Sequence, residues 1–208
     1  MPTSRSLTPA VIASAALRVG DRDGPKAMTM RRIAADLGCD PMALYRYFAN
    51  REALLDAVAD SVLAEVDDPD PDASWDDRVR TIATDLRAAA VRHRGIAAHL
   101  ASRPPLGANG SRLSTGLFAA LTQAGLPPAS AVRAAQALIV YLASALAMAV
   151  RAGARDARWV QVSQTISRLP DAPPGEALMI AGSDEQFDYG LHLLIAGIRV
   201  EASGPRHP

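Results

Sequence analysis

The sequence is short of cysteine, of aromatic residues and of net charge, and each shortage excludes something. A single cysteine, Cys39, in 208 residues rules out an internal disulfide and gives no sign of an oxidising compartment. Aromatic residues are 4% against 49% hydrophobic residues in all, so the core must be built from Ala, Leu, Val and Ile, a mix suited to packed helices. Lys+Arg and Asp+Glu are 22 each, which excludes a uniformly basic coat; any nucleic-acid surface has to be local. The opening MPTSRSLTPA lacks the apolar core of a secretory signal. The longest candidate membrane span, Ala134 to Val150, is seventeen residues interrupted by Gln136, Tyr141 and Ser144, marginal in length and poor in hydrophobicity. No membrane partner is expected, and the expected location is cytoplasmic. Also missing are a Ser-His-Asp set, paired catalytic carboxylates, a phosphate-binding Gly loop and an HExxH motif. An enzyme is therefore not expected, nor a cofactor, nor a metal site.

What is present is unevenly placed. Residues 1 to 51 hold eight Lys+Arg against four Asp, whereas Asp67 to Asp77 holds six Asp and no base. The patterning is helical apart from a poorly patterned Gly-, Pro- and Arg-containing tract at 153–182, with no strand pattern and no internal repeat, so the expected fold class is all-α. Thr8-Pro9 opens a first helix, a capping residue followed by Pro at the first helical position, and Gly20 closes it. Thr29 caps a second helix that ends at Gly38. Asp40-Pro41 starts a short third helix to Phe48, and Asn50 caps a fourth that carries Leu54, Leu55, Val58, Val62 and Val66. The run DDPDPDAS (67–74) cannot continue a helix. A domain boundary is placed there, with a unit of residues 1–66 and a second of 67–208. Further helices are expected from Trp75 to about His93, Gly95 to Arg103, Ser111 to Ala124 after a Pro-Pro-Gly loop, Pro128 to about Ala152, Asp156 to Leu169, and from the cap Ser183 through Ile198.

The most explicit stretch is Thr29 to Leu55, TMRRIAADLGCDPMALYRYFANREALL. Two short helices joined by Gly38-Cys39-Asp40 have the spacing of a helix-turn-helix, in which the second helix enters the major groove. At 100° per residue Leu44 and Phe48 fall on one side of that helix, and Met42 and Arg46 on the other, flanked by Ala43, Tyr45 and Tyr47. Arg46 can read guanine with two donors, while Met42 and Ala43 offer apolar contact to a thymine methyl. Pro41 sits where the helix start approaches the duplex. Thr29, Arg31, Tyr45, Tyr47 and Arg51 suit phosphate oxygens, which fix register without reading sequence, and the start of the fourth helix at Asn50-Arg51 is a further phosphate site. An ordinary three-helix packing unit would not need exposed tyrosines beside three arginines. Cys39, by contrast, reads as a filler in a turn.

This stretch resembles the DNA-binding domain of the tetracycline-repressor (TetR) family, in the pattern helix, "A..LG", short turn, "LY.YF..+..LL". The matching residues are Ala34, Leu37, Gly38, Leu44, Tyr45, Tyr47, Phe48, Arg51, Leu54 and Leu55, with Arg51 where a Lys is usual. HRGIAAHLASRP (93–104) and FDYGLHLLIAGI (187–198) are similar to segments of the regulatory domain of the family's namesake. The resemblance implies a double-stranded operator DNA, a small-molecule effector and a homodimer as partners. It also implies that His99 and Arg103 match drug-site residues, the His helping to hold a magnesium–tetracycline complex. Ile82 and Leu86 stand where a polar and an aromatic group are expected, and Leu117 where an amide is, so the lining suits a more apolar molecule. Leu138 and Tyr141, on the long apolar helix, complete the expected ligand set; that helix also reads as a dimer face. As a lone histidine on a helix, His99 reads equally as a hydrogen-bonded structural residue, and His93 and His192 are read as structural.

The expected function is a ligand-responsive repressor that binds a pseudo-palindromic operator as a homodimer and is released by a small apolar or natural-product-like effector. An activator of the same fold is the alternative within the class. A helical interaction protein, or an enzyme using the bundle cavity, would show no specific duplex binding.

Overall fold

The structure, a computed structural model, describes residues 6–103, 106–150, 156–170 and 174–204. These form ten α-helices: α1 Pro9–Asp23, α2 Met30–Leu37, α3 Pro41–Tyr45, α4 Arg51–Leu63, α5 Trp75–Arg92, α6 Arg94–Ser102, α7 Ala108–Gln123, α8 Pro128–Ala149, α9 Ala157–Ile166 and α10 Asp184–Ser203. Among the described residues there is no strand, so the fold is all-α.

Local chemistry sets most of the starts. Thr8, Thr29, Asp40, Asn50, Ser74, Asp156 and Ser183 each turn a side-chain oxygen to an early backbone N–H of the helix that follows, satisfying donors that have no partner within the helix. Gly38, in the left-handed conformation at φ 67°, ends α2, and Cys39 N–H donates back to the Ala34 carbonyl at 3.0 Å. A residue with a Cβ is strained at that φ, and the tight turn of the helix-turn-helix depends on its absence.

Three expectations are corrected. Helix α1 does not stop at Gly20 but runs to Asp23, where Gly24 closes it; Gly20 is instead the point where α6 crosses α1, Gly95 of α6 lying on its backbone. Helix α3 ends at Tyr45 rather than Phe48, since the chain must turn into the extended cap Asn50 (φ −159°). Helix α7 begins at Ala108 rather than Ser111 because its cap comes from another helix. Asp60 of α4 accepts from Gly110 N at 3.0 Å and Asn109 Nδ2 at 3.1 Å. The Pro-Pro part of the loop before α7 and the end expected for α8 near Ala152 lie outside the described residues.

The acidic linker lies between α4 and α5, yet the apolar core does not divide there. Ile12, Val19, Ile33, Leu44, Leu54, Val58 and Val62 form one cluster that continues into Ile82, Ala89, Ile96 and Leu113. A second cluster joins α5, α7, α8 and α10 through Val79, Leu117, Leu121, Leu138, Leu142, Phe187, Leu191 and Ile195. The boundary proposed at 66/67 is thus a break in composition, not in packing. By length and composition α8 is apolar enough to cross a membrane. In this fold one side of it, Ala131, Ala135, Leu138, Leu142 and Leu146, is buried against the bundle.

Buried and half-buried charges knit the helices. Arg87, 6% exposed, donates to Asp184 Oδ1 and to the Gly182 carbonyl at 2.9 Å, with its guanidinium 5.0 Å over the Phe187 ring. It holds α5 against the start of α10. His93, at the α5–α6 corner, lies 2.7 Å from Asp21 of α1 through Nδ1 and 2.9 Å from Glu65 through Nε2; it is a satisfied structural histidine.

Candidate DNA interface and effector cavity

Helices α2 and α3 present the outward face expected of a helix-turn-helix. Leu44 is fully buried and Phe48 nearly so, which fixes the rotation of α3. On the opposite side Met42 is 69% exposed, Tyr45 46% and Tyr47 39%, while Arg46 and Arg31 are exposed and Pro41 and Ala43 half-buried. Such large exposed apolar and aromatic surface beside cations needs an occupant. Around it, Arg22 and Arg32 are drawn to Asp23, whose carboxyl they hold down at about 2, below its ordinary range. Arg31 and Arg46 carry the positive charge that faces outward.

Three of the expected contact residues are also structural. Thr29 Oγ accepts from Arg32 N as the cap of α2. Tyr47 donates its hydroxyl to the Leu7 carbonyl at 2.7 Å, tying the entry to α1 against α3. The Arg51 guanidinium folds back onto the turn before α2, Nε donating to the Met28 carbonyl at 2.7 Å and one terminal nitrogen approaching Glu52 at 3.2 Å. It is therefore not simply a free phosphate clamp. Arg51→Ala is expected to lower thermal stability, by about 1 kcal/mol for the lost hydrogen bonds, as well as weakening binding to any duplex. Calorimetry alongside DNA titration at two salt concentrations checks both.

Behind this unit lies an apolar cavity of about 410 Å³, within the size range of pockets for drug-sized molecules. Its walls are Ile82 and Leu86 of α5, Leu100 of α6, Leu113, Ser114 and Leu117 of α7, and Ile139, Val140, Leu142, Ala143 and Leu146 of α8, with Leu63 of α4 and Arg103 at the rim. Of the expected ligand residues, Ile82, Leu86, Leu117 and Arg103 come together here. Leu138 and Tyr141 do not. Leu138 faces the bundle core with no exposure, and Tyr141 stacks on Phe187 and donates its hydroxyl to the Phe187 carbonyl at 2.6 Å. Burial raises the Tyr141 phenol above its ordinary value. The Leu138 to Val150 run of α8 is expected from its sequence as both pocket wall and dimer face, and Ile139, Val140, Leu142, Ala143 and Leu146 are the part of it that lines the cavity. Leu113 and Ser114 of α7 were not anticipated as lining, and α8, apolar on every side, carries no phase that would single out its wall residues.

His99 is outside the main cavity, in a small cleft with Asp56, Asp60 and Arg103. Its Nε2 is 2.8 Å from Asp56 Oδ1, and Arg103 Nε donates to the same oxygen at 3.1 Å. Burial pushes the Asp56 carboxyl up, but the His99 hydrogen bond and the Arg103 charge outweigh it and hold the group below its ordinary range. That stabilisation is present above the ordinary carboxylate range and is lost as pH falls through the depressed value. With a guanidinium already on its carboxylate, this cleft is a poor place for a divalent cation. Glu52 and Asp56 are one helical turn apart, as are His99 and Arg103, so matching i, i+4 charges on two helices was the available signal for the pairing.

Helix α4 is thereby tied to the cavity-lining helices along its length. Asp56 holds α6, Asp60 caps α7, and Arg112 of α7 donates to the Leu63 carbonyl at 3.2 Å and the Val66 carbonyl at 2.7 Å. The same helix is capped by Asn50, three residues after Tyr47 of the exposed face.

Comparison with known proteins agrees with this architecture. Residues 12–58 match the profile for bacterial regulatory proteins of the tetR family, and residues 68–202 match the tetracyclin repressor-like C-terminal domain. A transcriptional regulator of the helix-turn-helix type from Saccharopolyspora erythraea is 32% identical over 210 residues, covering 96% of this chain and 88% of that protein. The class A tetracycline repressor of transposon 1721 from Escherichia coli is 30% identical, over 92% of this chain and 90% of its own. Among solved structures, the Streptomyces coelicolor protein ActR in complex with actinorhodin is 29% identical with a TM-score of 0.83, covering 96% of this chain and all 100% of that one. Two domain matches that together span most of the sequence, and relatives aligned nearly end to end, make one conclusion plain: the chain belongs to the TetR family of ligand-responsive, non-enzymatic transcriptional repressors.

Proposed function

We propose that the chain acts as a homodimer that holds a pseudo-palindromic operator and releases it when a small, largely apolar molecule fills the cavity between α5, α6, α7 and α8. The observation that carries this reading is the wiring of α4, which starts at the exposed DNA-facing unit and is fastened at Asp56, Asp60 and Leu63 to helices that line the cavity. A ligand that spreads those helices must drag α4. In a two-fold dimer the two copies of α3 would sit about one DNA turn apart, roughly 34 Å, and moving α4 changes that separation. By linkage, operator DNA must weaken effector binding by the same factor.

In this reading Arg46, Met42 and Ala43 face base edges, while Thr29, Arg31, Pro41, Tyr45, Tyr47 and Arg51 lie along the phosphates. The boundary between the two functional units falls in the linker after residue 66. A cavity walled by aliphatic side chains, with Arg103 as its cation, supports a less polar effector than magnesium–tetracycline. The test is a mobility shift on the DNA flanking the protein's own gene. Specific retardation is expected, and Arg46→Ala should relax the sequence preference, costing about 1–3 kcal/mol on the preferred site and much less on others. An unchanged preference in Arg46→Ala would mean that α3 reads bases through other groups; no retardation on any flanking duplex would overturn the repressor reading at this locus.

A further inference from the structure

The cavity has one charged side chain among its described lining residues, and that side chain is shared. Arg103 borders the apolar walls together with the neutral Ser102 and Ser114. Its guanidinium is at the same time held by α4, Nε donating to Asp56 Oδ1 at 3.1 Å and a terminal nitrogen to Oδ2 at 3.3 Å, with Glu52 3.9 Å from the other. Resting on the reading of this cavity as the effector site, we infer that the effector is an apolar molecule bearing one anionic group, a carboxylate, sulfonate or acidic phenolate, and that this group acts by taking Arg103 away from Asp56.

Two physical arguments converge. An anion that leaves water for an aliphatic cavity must recover its lost hydration from donors inside it, and a guanidinium offers paired donors in a fork that fits such a group. No other charged side chain of the described lining could do so. A cation would be repelled by the same guanidinium, and a neutral molecule would gain little from it. The second argument concerns the competitor. Asp56 and Glu52 belong to α4, so every Arg103 donor turned to the ligand is withdrawn from α4. Asp56 would keep His99, 2.8 Å away, so the exchange loosens the tie without leaving a carboxylate unpaired. The anion binds better where α4 has moved off α6, and such a difference in affinity between states is what lets a ligand shift an equilibrium.

A matched pair of fluorescent probes tests this on the full chain. 8-Anilinonaphthalene-1-sulfonate and N-phenyl-1-naphthylamine share one apolar body and differ in the sulfonate. Arg103→Gln should weaken the sulfonate about tenfold and change the neutral probe less than about twofold. Asp56→Asn, which weakens the competitor, should do the reverse for the sulfonate, tightening it several-fold while moving the neutral probe less than about twofold; a purely structural loosening of α4 would instead tighten both probes alike. Ser114→Trp fills the cavity and should abolish both signals. If Arg103→Gln leaves the sulfonate unchanged or shifts both probes equally while Ser114→Trp still blocks them, the anionic inference falls and the cavity stands. If both probes ignore Ser114→Trp, they do not occupy the cavity and the inference falls with the effector-site reading.

Discussion

Leu193→Arg is expected to leave a folded monomer that has lost operator binding by about 100-fold or more. Leu193 is 52% exposed on α10, on one face with Tyr189 at 54% and Val200 at 73%, and α8 adds Met148 at 40%. Positions 189, 193 and 200 recur at helical spacing, so the result is an apolar stripe along the last helix, next to a second helix with apolar groups of its own. A contiguous face of that kind on a charge-bearing protein marks an interaction surface, and we propose that the two-fold dimer uses it, pairing α8 and α10 with their mates. Since Leu193 is already half in solvent, an arginine there can extend into water without disturbing Leu191 or Ile195 beneath, and circular dichroism should be unchanged. Across a two-fold axis, however, each new guanidinium would meet the other's stripe and remain desolvated. A monomer reaches one half-site only and forgoes the gain of linked binding, commonly 10²–10⁴. The added positive charge would itself favour DNA non-specifically, so a loss cannot be put down to charge. Sedimentation at micromolar concentration decides it: a variant that stays dimeric and keeps its operator affinity places the interface on other faces.

The parts of the molecule that could be read from residue order are those governed by near neighbours. Caps at Thr29, Asp40 and Asn50, the left-handed glycine at position 38, and the opposition of Leu44 to Met42 all act within one or two turns, and the helix-turn-helix follows from them. The parts that were not legible are decided by residues far apart in the chain. Asp60 caps a helix that starts some fifty positions later, so the local pattern of α7 misplaces its start. Arg51 looks like a free cation until the Met28 carbonyl is found under it. Helix α8 is Ala, Leu and Val on every side, so nothing in its order says that Leu138 turns to the bundle core while Ile139 and Val140 turn to the cavity. The pairing of Asp56 with His99 and Arg103 left a weak trace, opposite charges one turn apart on two helices, but a trace without a partner until the helices are packed.

Gly20 is the sharpest of these misreadings, and it leads to the second large expected effect. Read locally, a glycine after Val19 is a helix stop, yet α1 runs on to Asp23. Its function is on the other side: a Cβ at Gly95 of α6 would stand 2.5 Å from the Gly20 carbonyl oxygen and 2.6 Å from its Cα. Two helix backbones therefore touch where the stretch matching the tetR-family N-terminal domain meets the stretch matching the C-terminal domain, and neither backbone can yield without moving its helix. Gly95→Ala should cost about 2–3 kcal/mol as overpacking, a fall in Tm of roughly 5–10 °C for a chain of this size. Gly20→Ala makes a different demand. Its Cβ would meet the Met28 sulfur at 2.5 Å; Met28 is buried, but an unbranched thioether can repack where a backbone cannot, and an alanine inside α1 gains up to about 1 kcal/mol in helix propensity. That variant should lie within about 1 kcal/mol of the parent. The asymmetry is the test, read by thermal unfolding of both variants side by side. Equal losses would mean that the crossing tolerates a wider separation than its backbone contact implies, and that α1 and α6 are not locked to one another. An intact asymmetry identifies the glycine crossing as the rigid joint about which α4, fastened to α6 through Asp56, has to move.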